Sequence, residues 1–346
     1  MRCGGRQGLG RWRWRAGAIS ITAMIEPDRT IRIGTRSSLL ARTQAGMVKQ
    51  MLEARLIGRP PTTIELVFIT TSGDQQQDRP LAESGGKGLF IKEIETALLE
   101  NRIDLAVHSA KDLPAELAPG TIIAGTPLRA QAGDVWIGFQ NKSIADLPPS
   151  ALVGTSSLRR QSQLLAMRPD VTVQPLRGNI ETRLRKVNEG VIAGTFLAQA
   201  GLDRTNLFPD SAVSLPLDEF IPAAGQGILA IQARTQDAIM CKLAGTINHT
   251  GTAAALAFER RVVAALAGNC LAPMGVCAMP RGNPVNTLHG WIVRAFLATP
   301  DGKKISRATL LAEDPSDAGL NGLYDLLLET LRKRGSAEIM NLINPQ

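Results

Sequence analysis

Two short turns of one design, 120 residues apart, constrain this chain more than any other feature. Ile31-Arg32-Ile33 alternates as a strand does and runs into Gly34-Thr35-Arg36-Ser37-Ser38, followed by a helical stretch from Leu39 to Leu56. Leu152-Val153 likewise runs into Gly154-Thr155-Ser156-Ser157 and then a helical stretch from Leu158 to Met167. A strand–turn–helix unit used twice predicts two similar α/β domains. Between the turns the alternation continues. Ile64–Thr70 is rich in β-branched residues and reads as a strand, Gly88–Glu100 as a helix with Leu89, Ile91, Ile94 and Leu98 on one face, and Ile103–Val107 as the next strand. Val171–Gln174 followed by Glu181–Asn188 repeats the step. Such alternation favours parallel sheets flanked by helices.

After about residue 245 the pattern changes. Thr252–Ala267 is an alanine-rich helix ending at Gly268-Asn269-Cys270. Strands are expected near Gly275–Ala278, Leu288–Leu297 and Lys304–Leu311, and a terminal helix near Leu320–Arg334. This predicts a small C-terminal α+β domain.

Charge narrows the function classes. Residues 1–23 hold Arg2, Arg6, Arg11, Arg13 and Arg15 with no acid, and without them the formal +8 falls to +3. A broadly basic nucleic-acid surface is therefore not expected, and with aromatics at 4% there is little to stack bases on. The N-terminal segment reads as an upstream-extended start, with Met24 as the true one, or as a transit peptide; either way it stands outside the fold. No apolar run is long enough to cross a bilayer. Four cysteines (Cys3, Cys241, Cys270, Cys277) and three histidines (His108, His249, His289) show no metal-ligand spacing, so no metal is expected and free thiols in a reducing compartment are.

Three constellations carry chemistry. In Val107-His108-Ser109-Ala110-Lys111-Asp112-Leu113-Pro114, ionisable residues follow the carboxyl end of a buried strand, where open α/β sheets place their ligands. Lys111 suits an acidic ligand, and Asp112 suits ring N–H groups or a developing positive charge; an ordinary solvated ion pair is the plain alternative. In Thr155-Ser156-Ser157-Leu158-Arg159-Arg160, hydroxyls and free N–H groups begin a helix, and two arginines occupy a first turn whose dipole disfavours cations. A multiply charged acid there would account for them, as would tolerated surface arginines. Leu176-Arg177-Gly178-Asn179 with Arg183 and Arg185 continues the theme, and Arg36 adds to it from the first turn. Guanidinium forks bind carboxylates bidentately.

Two glycine-rich loops complete the set. Gly85-Gly86-Lys87-Gly88 lacks the spacing of a nucleotide P-loop, and Ala223-Ala224-Gly225-Gln226-Gly227 marks a crossing between domains. Cys270, just past a helix end, is compatible by itself with an inert thiol or a covalent role, whereas Cys277 in an apolar run reads as buried.

Together these segments resemble the porphobilinogen deaminase (hydroxymethylbilane synthase) family from about Ile31 to the C-terminus. The matching motifs in order are Gly34-Thr35-Arg36, Gly85-Gly86-Lys87-Gly88-Leu89-Phe90, Val107 to Pro114, Gly154 to Gln161, Leu176-Arg177-Gly178-Asn179, Gly225-Gln226-Gly227 and Cys270. The resemblance implies a cytoplasmic, monomeric transferase of porphyrin and heme biosynthesis, with no nucleic-acid or membrane partner. It would join four porphobilinogen molecules head to tail into hydroxymethylbilane, releasing ammonia, on a dipyrromethane cofactor bound through Cys270.

The resemblance also distributes roles. Asp112 would be catalytic, stabilising the cationic azafulvene formed as ammonia leaves. Lys111, Ser109, Thr155, Ser157, Arg159, Arg160 and Arg183 would hold the cofactor's acetate and propionate groups, and Arg36, Ser38, Arg177 and Gln226 would line the substrate and chain path. The implied fold is two periplasmic-binding-protein-like α/β lobes with parallel-rich sheets plus a small α+β domain. Residues 1–26 would lie outside it, 27–130 with 228–245 would form the first lobe, 131–222 the second, and 250–346 the cofactor-anchoring domain.

Three places depart from the family pattern. Glu83 stands where a basic residue is common, Gly133 where arginine is common, and Ile192–Leu197 lacks the usual acid at a strand start. They keep in view a catalytically lapsed homologue, beside a rival of another class: a two-lobed solute-binding protein, which would need no Cys270.

Overall fold

The structure is a computed structural model that describes residues 28–57, 62–75, 91–266, 272–283 and 287–343. The arginine-rich N-terminal segment, Glu83, the Gly85–Phe90 loop and Cys270 lie outside these residues.

The chain runs through β1 (Thr30–Arg36), α1 (Leu39–Leu56), β2 (Thr63–Ile69), α2 (Ser72–Gln75), α3 (Lys92–Leu99), β3 (Leu105–Ser109) and β4 (Thr121–Gly125). It continues through β5 (Asp134–Gly138), β6 (Leu152–Gly154), α4 (Leu158–Met167), β7 (Thr172–Gln174), α5 (Ile180–Asn188), β8 (Gly194–Ala198), α6 (Gln199–Thr205) and β9 (Val213–Ser214). Then come β10 (Leu229–Arg234), α7 (Ala238–Gly245), α8 (Thr250–Leu266), β11 (Met274–Asn283), β12 (Thr287–Ala298), β13 (Ile305–Ala312), α9 (Asp317–Lys333) and α10 (Ser336–Ile343).

The first sheet has the order β2-β1-β3-β10-β4 and the second β7-β6-β8-β5-β9. In each, the first three strands are parallel and the fourth runs antiparallel to its neighbours. The fourth strand comes from a crossing: β10 returns to the first sheet after the second is complete, and β5 opens the second sheet directly after the first. The molecule is thus two α/β lobes with parallel-rich sheets, joined by an antiparallel third sheet, β11-β12-β13.

Local sequence explains the elements that matter for the site. α1 buries Gln44, Ala45, Val48 and Leu52, a stripe at helical spacing, and Ser38 caps it by accepting from Ala41 N. α4 is capped the same way, Ser157 accepting from Arg160 N. α3 begins at Lys92, four residues inside the expected helix start, whose first residues fall outside the description. β3 begins at Leu105 rather than Ile103, because Asn101 takes a left-handed φ of 58° and the Asp104 N–H already bonds Arg32 O. The expected helix near Leu320–Arg334 is α9, which Gly335 at φ 89° ends, and a further short helix, α10, follows it beyond the expected bounds.

The C-terminal domain packs α8 and α9 on its sheet around Phe258, Val262, Trp291, Val293 and Leu327. It also grips the first lobe, where Leu256 of α8 joins Ile91, Ala110, Leu113, Ile228 and Ala230 in one cluster.

Candidate active site

The site begins where β3 ends. Ser109 closes the strand and Ala110–Asp112 forms a single 3-10 turn, which puts Lys111 and Asp112 side by side at the carboxyl edge of the first sheet. Asp112 lines a small recess of about 60 Å³ with Arg36, Ser38, Gln44, His108 and Ser109. The Ser109 hydroxyl lies 2.9 Å from Gln44 Nε2 and 3.0 Å from Gln44 Oε1, so α1 holds it in place. His108 is buried, its Nε2 3.0 Å from Gln232 Oε1, while Gln232 Nε2 donates to Glu95 Oε1 and Thr121 Oγ1. Burial pushes the imidazole down to about 4, so it stands neutral beneath the recess.

The second half of the site comes from the other lobe. Arg159 and Arg160, in the first turn of α4, are both buried against Asp134, the first residue of β5, which is itself 0% exposed. Arg159 NH1 lies 2.7 Å from Asp134 Oδ2, and Arg160 NH2 lies 2.6 Å from Oδ1. Burial raises the Asp134 carboxyl, but the two guanidinium groups outweigh it and hold the group well below the usual carboxylate range. The sequence pattern led us to expect an external acid as the reason for two cations at a helix N-terminus; an internal acid 25 residues upstream accounts for part of that pairing. Neither guanidinium is exhausted by it. The bonds formed among the described residues use NH1 of Arg159, and one N–H from each of the three Arg160 nitrogens.

The Gly225-Gln226-Gly227 crossing ties the halves together. A Cβ on Gly225, which has φ 72°, would come within 3.0 Å of the Ala110 carbonyl carbon and the Lys111 nitrogen, so glycine lets this turn lie directly on the Lys111–Asp112 turn. Gln226 is 0% exposed. Its Oε1 accepts from Lys111 Nζ (3.3 Å), and its Nε2 donates to Ala132 O (2.7 Å), Gly133 O (3.1 Å) and Asp134 Oδ1 (3.1 Å). Gln226 was expected on the substrate path; with both amide ends engaged and no exposed surface, it lies beneath the site instead. From below, Glu259 of α8 accepts from Gly225 N, Ala278 N and Arg129 NH1, joining the crossing to the C-terminal domain. Neither Asp134 nor Glu259 was foreseen, because an acid in a strand or a helix gives no local sign of a partner 25 to 130 residues away.

The remaining expected residues divide. Thr155 is buried, its Oγ1 accepting from Ser157 N, and Ser157 caps α4, so both hydroxyls organise the turn. Ser38 does the same for α1. Arg183, on α5, donates from Nε to Gly178 O, and Arg177 precedes that glycine. Of the family departures, Ile192–Leu197 supplies most of β8, and Gly133 faces neighbours no nearer than 3.7 Å from where a Cβ would sit.

Electrostatics describes what the arrangement accepts. Burial and then Arg160 lower the Lys111 ammonium to about 8, and burial followed by Arg160 and Arg177 lowers Arg183 to about 10. Cations that depress one another want anions: this donor set fits a ligand bearing several carboxylates, as a dipyrromethane with acetate and propionate arms does. Among the described residues there is no group of three or more His, Cys, Asp or Glu that could hold a metal ion, and no helix long and apolar enough to cross a membrane.

Comparison with known proteins agrees with the donor set. Residues 31–242 match the family model "Porphobilinogen deaminase, dipyromethane cofactor binding domain". The porphobilinogen deaminase of Alkaliphilus metalliredigens is 39% identical over 91% of this chain and 96% of that protein. Those of Brevibacillus brevis (41%, covering 87% and 98%) and Syntrophobacter fumaroxidans (44%, covering 82% and 88%) are similar to it to the same degree.

Proposed function

The chain belongs to the porphobilinogen deaminase family, transferases of porphyrin and heme biosynthesis, and on that premise we propose a division of labour among its residues. The reaction is the stepwise head-to-tail condensation of four porphobilinogen molecules to hydroxymethylbilane with release of ammonia, and the cofactor is dipyrromethane. When bound, that cofactor supplies the free pyrrole carbon to which the first porphobilinogen is joined.

Asp112 does the chemistry. As the aminomethyl C–N bond breaks, ammonia leaves with the electron pair and positive charge grows on the pyrrole. A carboxylate fixed at the end of β3 stabilises that charge and accepts the pyrrole N–H, then helps remove the proton displaced when the new C–C bond forms. Lys111 from the first lobe and Arg159, Arg160 and Arg183 from the second hold the acetate and propionate groups, with Ser109, Thr155 and Ser157 adding hydroxyls at the same edges. Arg36, Ser38 and Arg177 face the incoming substrate and growing chain. Cys270 anchors the cofactor by a thioether. The enzyme works as a cytoplasmic monomer without nucleic-acid or membrane partners.

The observation that carries this reading is the meeting of Lys111 and Asp112 with the Asp134–Arg159–Arg160 group across one buried glutamine. It is tested by intact-protein mass. The wild-type mass should exceed the sequence mass by two linked pyrrole units, and Cys270→Ser should abolish the increment. A fully active protein of unmodified mass would sink the cofactor anchor and the reading with it.

A further inference from the structure

Three cations assigned to acid binding, Lys111, Arg159 and Arg160, converge on one buried carboxylate, Lys111 through Gln226. Asp134 sits at the start of the antiparallel strand that the second lobe receives from the crossing, with no exposed surface. Its Oδ2 takes Arg159 NH1; its Oδ1 takes Arg160 NH2, Arg160 Nε at 3.2 Å, and Gln226 Nε2. Through Gln226 it reaches Lys111 Nζ of the first lobe.

Adjacent guanidinium groups on one helix turn repel each other, and without a shared partner each would swing to whatever carbonyl or water it could find. A single buried carboxylate between them fixes both planes by directional, charge-assisted bonds. It also leaves the pair with a net charge of one rather than two, so the cleft keeps a surplus for the ligand while the fold bears less repulsion. We infer that Asp134 is a positioning residue for the condensation: it aims Arg159 and Arg160 and, through Gln226, holds Lys111 of the opposite lobe in register with them. The inference rests on the acid-holding role proposed for those cations. Asp134 itself touches no substrate.

The test is Asp134→Asn in the cofactor-loaded enzyme, with KM, kcat and their pH dependence as readouts. kcat/KM should fall about thirtyfold, mostly through KM, because misaimed guanidinium groups weaken binding of each porphobilinogen. A second signature would not arise from simple loss of stability. Lys111 is faced by Asp112 on its own turn, by Arg159 and Arg160 from α4, by Asp134 from β5 and by the neutral Gln226. Removing the Asp134 charge takes away one of the two anions that favour its protonated form, so the alkaline limb of kcat/KM should move to lower pH by about half a unit. A folded Asp134→Asn protein with unchanged kinetics and an unmoved limb would overturn the inference.

If Asp134→Asn does not fold, the double variant Asp134→Asn/Arg159→Gln keeps the same buried charge sum. It should show kcat/KM about tenfold below that of Arg159→Gln alone, because Arg160 has lost its guide. Equality of the two would overturn the inference. An Arg159→Gln protein with unaltered kcat/KM would instead overturn the acid-holding role beneath it.

Discussion

The two lobes share one scaffold and carry different ionisable residues at its edges. Their sheets have matching strand orders, and the registers align Ile33 and Gly34 opposite Leu105 and Ala106 in one lobe with Val153 and Gly154 opposite Gly194 and Thr195 in the other. On that alignment Ile103 corresponds to Ile192, and each packs so close beneath the turn glycine that a Cβ on Gly34 or Gly154 would lie 2.3 or 2.8 Å from its Cδ1. The helix caps Ser38 and Ser157 correspond, each accepting from the N–H three residues on.

Beyond the caps the lobes diverge. Leu40 and Ala41 in the first lobe stand where the second has Arg159 and Arg160. After the third strand the asymmetry reverses, with Ala110-Lys111-Asp112 in the first lobe and Gln199-Ala200-Gly201 in the second. Each lobe therefore sets its adjacent pair of ionisable residues at a different ligand-facing edge, and Arg36, in the turn before α1, adds a single charge to the first lobe's helix-start edge. On the proposed roles, the helix-start edge of the second lobe is the acid-holding side, and the strand-end edge of the first is the reacting side. Leu40, in the first turn of α1, lies within 3.7 Å of where a Cβ on Gly201 would sit, so the two edges without a charged pair meet there.

The sharpest way to break this division is to remove the reacting acid. Asp112→Ala should remain folded and loaded with cofactor yet lose about three orders of magnitude or more in turnover, since charge stabilisation is among the largest catalytic contributions. Near-normal kcat would refute its role.

Next in size is a pH effect confined to the first lobe. His108 corresponds to Leu197, and only the histidine titrates. Its folded value, pushed from 6.5 to about 4 by burial, means that the unfolded chain binds the proton first as pH falls. Stability should therefore be intact above about pH 6.5 and decline by about 3 kcal/mol on the way to pH 4. Denaturant unfolding across that range checks it, and His108→Leu should flatten this part of the profile.

The two helix starts should respond unequally to substitution. Arg160→Gln should reduce kcat/KM about a hundredfold by removing a bidentate acid holder. Leu40→Ala should cost about 1–2 kcal/mol of stability and leave kcat/KM within about twofold. Smallest are the caps. Ser38→Ala and Ser157→Ala should each cost about 1 kcal/mol in urea unfolding, and markedly unequal losses would show that the turns are less alike than their geometry indicates.

Much of this scaffold was legible in the sequence. α1 and α4 fall at their expected bounds because a serine cap and a periodic apolar face agree at each. The crossing at Gly225–Gly227 could be read because glycines mark a place of unusual backbone. β4, β5, β9, α2, α6, α7 and α10 went unread: β9 has two residues, and the others are short runs whose type depends on the neighbours that receive them. In the site, the arginines and Lys111-Asp112 announced themselves by sitting at strand and helix ends. Asp134 did not, since it lies at the start of a strand and its meaning comes entirely from Arg159, Arg160 and Gln226, brought to it by the tertiary fold. The family resemblance put Gln226 on the substrate path, whereas close packing of the crossing turn on Ala110 and Lys111 buries it.

The division between a reacting lobe and a holding lobe is tested most directly by the pyrrole content of purified variants, read as intact mass. Asp112→Ala should carry the full increment of two linked pyrroles while failing to turn over, and the Arg159→Gln/Arg160→Gln double variant should carry little or none. The contrary pattern, an Asp112→Ala protein without the increment or a double-arginine variant with all of it, would contradict the assignment of holding to one lobe and chemistry to the other.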